Sequence, residues 1–218
     1  MARLVQDNAL FLGLDCFTQS MSALVVDTCG QVVYESSFRF DERFPHYNTK
    51  NGALRSAENE VAIPSFMFVE SLDAIMGVLA KSSVDLTKIK SISGSAQQHS
   101  SVYWSKDFSL RRCFDAVIDL DVTTMIEAMK KQQEPVFCLP NGPSWMDSST
   151  THYCKELEAA VGGSDRVAEI SGSRPTSALQ ATELLREFTR TRRPRKMRAY
   201  CSGVINANVA AVWRLHFN

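Results

Sequence analysis

Short apolar runs and polar breaks alternate over the first 40 residues, and that rhythm predicts strands. Leu10-Phe-Leu-Gly-Leu14 is apolar and long enough for one buried strand, and Asp15 to Ser20 interrupts it with polar side chains. Ala23-Leu-Val-Val26 resumes the apolar pattern, Asp27-Thr-Cys-Gly30 reads as a turn, and Gln31 to Phe40 is again β-prone. Three such segments joined by tight polar turns predict an antiparallel meander. Residues 41–64 mix Pro, Gly, Asn and charge, which suits a long surface excursion.

The period then lengthens. After Pro64, the side chains Phe68, Leu72, Ile75, Met76 and Leu79 recur at helical spacing and predict a helix over 65–79. Lys88 to Ser93 alternates as a strand and runs into Gly94-Ser-Ala-Gln-Gln-His99, with Ser101-Val-Tyr-Trp104 as a further strand candidate. Strand, helix, strand in this order predicts a βαβ unit. Signals are weak from Phe108 to Pro143. Asp147 stands ahead of Tyr153, Leu157 and Val161 and predicts a capped helix that Gly162-Gly163 ends. A short helical turn over 165–170 and a helix over 178–188 complete the pattern.

Composition removes several classes of function. No apolar run reaches about 18 residues, so no membrane span is expected, and Met1 to Leu10 lacks the pattern of a secretory signal. Formal net charge is zero over 218 residues, which argues against a nucleic-acid binder as a whole. The six cysteines are scattered, with no CxxC pair, and read as reduced thiols of a cytoplasmic protein rather than a disulfide framework or a zinc site. Charge is nevertheless uneven: residues 1–173 hold 15 Lys+Arg against 22 Asp+Glu, whereas 174–218 hold 9 against 2. Such a jump marks a boundary.

Three polar clusters could carry chemistry. In Gly13-Leu14-Asp15-Cys-Phe-Thr18-Gln19-Ser20, a strand ends in a carboxylate and a hydroxyl-rich turn follows. Such a turn can hold phosphate oxygens through N–H and O–H donors while the carboxylate holds a hydrated Mg²⁺. An ordinary hairpin whose Asp and Thr satisfy the turn fits the same residues. The run Ser93-Gly-Ser-Ala-Gln97-Gln98-His99 offers donors and acceptors suited to sugar hydroxyls, and a structural histidine fits it equally. Pro143-Ser-Trp145-Met-Asp147 sets an apolar ring beside a carboxylate, as a sugar pocket would, or as a buried Trp and a helix cap would.

Together, and with Ser101-Val-Tyr-Trp104, Trp145-Met-Asp-Ser-Ser-Thr-Thr151, Ala160-Val-Gly-Gly163 and Ser171-Gly-Ser-Arg174, these segments resemble the FGGY carbohydrate kinases, most of all the eukaryotic D-xylulose kinases. The resemblance runs from about Leu10 to Arg174. It implies an α/β fold, a ribonuclease H-like, actin-like ATPase lobe with a mixed sheet, and the first of two lobes that close on sugar and MgATP. It implies ATP and Mg²⁺ as cofactors and a ketose such as D-xylulose as the small-molecule partner. Asp15, Thr18 and Gln19 match the phosphate side, with Asp15 near the metal through water. His99 and Arg174 match sugar contacts, with Gln98 and Asp147 nearby.

Phe17, Ser22, Ala96 and Ser100 depart from the family pattern. The family's catalytic aspartate and nucleotide-binding second lobe fall beyond Asn218, so the chain as given is expected to be a catalytically incompetent fragment. A lobe over 1–174 and an atypical basic tail over 175–218 are expected, the tail reading as frame-shifted or mis-spliced sequence or as a disordered segment. A second reading is a non-catalytic binding or regulatory module that uses Arg192-Arg-Pro-Arg-Lys196 to meet phosphates or an acidic partner. A generic hydrolase or nucleotide fold lacks its marks, since neither G-x-S-x-G nor G-x-G-x-x-G nor a Walker loop is present.

Overall fold

The computed structural model describes residues 8–56, 59–105, 125–131 and 135–171. Arg174, the segment 175–218 and the helix expected over 178–188 lie outside the described residues. Strands β1 (Leu10–Cys16), β2 (Ser20–Asp27) and β3 (Val32–Arg39) form the expected meander. The β1–β2 ladder runs from Leu10 opposite Asp27 to Cys16 opposite Met21. Strand β6 (Ile89–Ala96) lies parallel to β1 on its other side, which gives a mixed sheet of order β3-β2-β1-β6.

Alternation decides the faces of this sheet. Leu12, Leu14, Cys16, Met21, Ala23 and Val25 are buried, and helix α2 (Ser65–Ala80) packs over them as the crossover between parallel strands. The buried line of α2 is Met67, Ser71, Ile75 and Leu79, while Phe68, Leu72 and Met76 are only partly buried. The stripe is therefore rotated from the one that apolar spacing predicts. Ser71 explains the shift: a small side chain lets the helix approach the sheet, and its hydroxyl is satisfied by donating to the Phe68 carbonyl at 2.9 Å.

The excursion over 41–64 is structured rather than open. It contains α1 (Phe40–Arg43), a 3-10 turn over Pro45–Tyr47, β4 (Leu54–Arg55) and β5 (Val61–Pro64). Buried Phe40 and Phe44 anchor its start, and Phe44 meets Phe38 edge to face with centroids 5.6 Å apart. Strand β5 pairs with β7 (Asn141–Pro143) in a small antiparallel sheet of order β4-β5-β7. The strand candidate over 101–104 forms no ladder. Trp104 makes one isolated bridge with Phe137 and packs into a second apolar cluster of Ala128, Met129, Val136 and Phe137.

Helix α3 (Met125–Lys130) supplies Ala128 and Met129, and its Ile126 amide donates to the Asp73 carboxylate of α2 at 2.9 Å. Helix α4 (Thr151–Val161) starts four residues after Asp147, with Thr150 at its cap position and no side-chain cap bond. The expectation that Asp147 caps this helix is thus corrected: its carboxylate accepts from the Ser149 amide at 2.8 Å and closes the preceding turn. Gly162, at φ 97°, ends the helix as expected, and α5 (Ser164–Ser171) follows. Among the described residues no helix is long and apolar enough to cross a membrane.

Candidate functional site

Asp15 occupies the C-terminal end of β1, next to the equivalent end of parallel β6, the edge at which open α/β sheets gather ligands. Register sets Asp15 beside Ser95 on β6 and Ser22 on β2. The Ser95 hydroxyl donates to Asp15 Oδ1 at 2.7 Å. Asp15 points away from the α2 side, since it alternates with buried Leu14 and Cys16. On that face lies an open hollow of about 510 Å³, whose walls include Gly13, Asp15, Ser22, Glu35, Ser93 and Ser95. The opposite alternation buries Cys16, and burial first, with the Asp15 charge adding, pushes its thiol up to about 12 despite a bond to Ser71. That sulfur is a core atom and not a nucleophile.

The turn between β1 and β2 carries Phe17, Thr18 and Gln19, and it is held from behind. Gly52 sits at φ 76°, and a Cβ there would overlap the Thr18 carbonyl, so only glycine allows this approach. Asp41 fixes the loop that carries Gly52. Its carboxylate accepts from the Thr49 hydroxyl at 2.7 Å, the Asn51 amide at 2.6 Å and the Gly52 amide at 3.0 Å. Partial burial opposes ionisation, but these three donors and the Arg39 charge prevail and hold the carboxyl below its usual range. Gln19 is tied on both sides: Arg39 donates to its side-chain oxygen at 2.8 Å, and its carbonyl accepts from the Phe40 amide at 2.9 Å.

A closed circuit of four hydrogen bonds joins the three polar clusters. The Gln97 side-chain amide donates to the Phe17 carbonyl at 3.2 Å. Ser100 Oγ donates to Gln97 Oε1 at 2.9 Å and receives the Trp145 backbone amide at 3.3 Å. The indole Nε1–H of Trp145 then donates to Thr18 Oγ1 at 2.9 Å, one residue from where the circuit began. Gln97 and Ser100 are buried, whereas Trp145 is 48% exposed and Phe17 is 59% exposed at the same edge. The motif Gln97-Gln98-His99 therefore divides its labour, with the first amide structural and the next two side chains exposed.

Thr18 and Gln19 follow Asp15 on the β1–β2 turn, but only Thr18 belongs to the circuit with Trp145, and neither Thr18 nor Gln19 lines the hollow at Asp15. Gln98 and His99 follow the end of β6, on the turn beyond Asp15's neighbour, with His99 in the left-handed region at φ 61°. Neither they nor Asp147 line the hollow at Asp15. Asp147 is 1% exposed and faces its own turn. Arg174 lies outside the described residues. Three contributors escape sequence reasoning: Ser95, Ser100 and the Asp41–Gly52 clamp. The Asn51-Gly52 dipeptide advertises a turn, but nothing local says which turn it backs.

No protein-family profile matches the chain. Sequence relatives are plain, however. The chain is 38% identical over 183 residues to "Xylulose kinase 2" of Arabidopsis thaliana, covering 83% of this chain and 31% of that protein. It is 35% identical over 178 residues to "D-xylulose kinase A" of Aspergillus niger, covering 81% of this chain and 30% of that protein. In fold it resembles the crystal structure of the xylulose kinase from Rhodospirillum rubrum, with a TM-score of 0.59, 16% identity, and coverage of 88% of this chain and 31% of that one. The chain thus spans roughly 30% of the length of the relatives it matches.

Proposed function

The chain is a homologue of part of the FGGY-type sugar kinases, its sequence relatives being xylulose kinases, and from that premise we propose that it forms the sugar- and phosphate-gripping lobe of an ATP-dependent ketose kinase. D-xylulose or a related ketose is the proposed acceptor and MgATP the proposed donor. The lobe is proposed to span 1–174, with 175–218 a separate basic tail.

The observation that carries this reading is Asp15, bonded by Ser95 at the joint end of two parallel strands, with the Thr18 turn directly after it. On this reading, Thr18 and the turn amides hold phosphate oxygens, Gln19 keeps the turn anchored to β3, and Asp15 meets the cation side of the nucleotide. Gln98, His99 and Arg174 serve the sugar hydroxyls, with Asp147 holding the Trp145 turn close by.

The donor set suits a hydrated Mg²⁺ rather than a caged ion. Among the described residues no three His, Cys, Asp or Glu side chains cluster to hold a metal. Ser95 engages one oxygen of Asp15, and the carboxylate lines an open hollow, so water can stand between it and the ion. Magnesium normally keeps several waters and binds through one or two carboxylates plus substrate phosphates. When bound, it would neutralise phosphate charge. The chain's own residues orient the phosphates and the acceptor, which is most of what phosphoryl transfer asks of a protein.

The test is Mg²⁺-dependent binding of inorganic tripolyphosphate, followed by ³¹P NMR. Asp15→Ala is expected to weaken it about tenfold, the scale of a contact to a charged group. Equal binding by Asp15→Ala and the unaltered chain would overturn the assignment.

A further inference from the structure

We propose that Trp145 is a positioning residue that fixes the polarity of the Thr18 hydroxyl, so that the β1–β2 turn donates a hydrogen bond outward to an acceptor-only phosphate oxygen. The inference rests on the reading of that turn as a phosphate site and deepens it.

A threonine hydroxyl carries one hydrogen and two lone pairs, and left alone it rotates to suit its surroundings. An indole N–H can only donate. At 2.9 Å, the Nε1–H of Trp145 therefore obliges Thr18 Oγ1 to act as acceptor in that direction. The hydroxyl hydrogen is left to point elsewhere. Fully ionised phosphate oxygens accept and do not donate, so a hydroxyl already turned to donate is complementary to them without reorganisation.

What makes this a device rather than a chance contact is the circuit behind it. Trp145 is not free to drift, because its backbone amide is held by Ser100 Oγ. Ser100 is committed in turn, since it donates to Gln97 Oε1. Gln97 closes on the carbonyl of Phe17, the residue before Thr18. Its backbone amide also donates to the Cys16 carbonyl at 3.1 Å. Every bond runs in one direction, from Trp145 through Ser100 and Gln97 to the turn, and from the indole to the turn again. The indole is thus placed by the very turn whose hydroxyl it orients. Half of the Trp145 surface remains exposed, so the Nε1 bond and the anchored backbone add to a burial that is only partial.

Three variants test the proposal in the full chain with inorganic tripolyphosphate and Mg²⁺. Trp145→Phe keeps a ring and removes the N–H, Thr18→Val removes the hydroxyl, and Thr18→Ser keeps it. Trp145→Phe is expected to weaken binding about fivefold, the scale of one hydrogen bond, and to add nothing in the Thr18→Val background. Thr18→Ser should bind as the unaltered chain does. The indole N–H resonance of Trp145, assigned by its loss in Trp145→Phe, should shift during titration of the unaltered chain and Thr18→Ser but not of Thr18→Val. Additive losses in the double variant, or undiminished binding by Trp145→Phe, overturn the proposal while the phosphate site stands. No binding by the unaltered chain overturns the phosphate site and this inference with it.

Discussion

Asp41 shows how a single side chain can shape a turn to which it does not belong. Its carboxylate gathers a hydroxyl and two backbone amides from residues 49–52, and that loop backs the β1–β2 turn. Asp41→Ala removes all three bonds and is expected to lower unfolding free energy by about 2 kcal/mol, the scale of a hydrogen bond to a charged group. The pH dependence has a definite sign. A carboxyl held below its ordinary value contributes stability that is complete above the unfolded-state value and fades as pH falls through the folded one. Chemical denaturation of the unaltered chain between neutral and acidic pH should therefore lose part of its stability on acidification, and Asp41→Ala should lose less. Equal pH slopes in the two proteins would refute the clamp.

At the level of elements, the meander, α2, β6 and α5 were all legible, because each is specified by its own local period. The faces were less so. Ser71 interrupts the apolar stripe of α2 and yet is fully buried, which no count of hydrophobic positions anticipates. The region over 41–64 has turn chemistry throughout, and its strands are short, with β4 only Leu54–Arg55. Its pairing is non-local, since β5 finds β7 from the far side of α2 and β6. Local reading also misplaced the start of α4 by trusting Asp147 as a cap. An aspartate serves a turn or a helix start with the same oxygen, and here the turn claims it.

The contact between the 49–52 loop and the β1–β2 turn is the element-level feature most open to test. Gly52→Ala puts a methyl group against the Thr18 carbonyl at a positive φ, so strain of about 1–3 kcal/mol is expected. Because that methyl presses on the turn itself, tripolyphosphate binding should weaken as well, under conditions where circular dichroism still reports a folded chain. Unchanged melting temperature and unchanged binding would mean that the loop stands clear of the turn in solution.

For the molecule as a whole, the likeness to xylulose kinases was legible from separated motifs, while the geometry that links them was not. Side-chain types at Asp15, Thr18, Gln98 and His99 can be read in order. The cross-connections through Ser95, Ser100 and Gln97 depend on β6 lying parallel to β1 in one register, and a single sequence does not encode register in any short window. These residues span roughly 30% of the relatives' length. A coupled ADP-release assay with D-xylulose and MgATP is expected to read no higher than a protein-free blank for the 218 residues alone. Turnover above that blank would place a working general base within them.

The left-handed backbone at His99 has a consequence of its own. Asparagine and glycine sit comfortably in that conformation, and histidine is tolerated there only a little less well, whereas a β-branched residue is a true misfit. The imidazole can therefore be exchanged for an amide with little disturbance to the main chain, but not for valine or threonine. Variation at this position is funnelled toward small or planar polar groups, so the polar group presented here can change before the architecture around it has to.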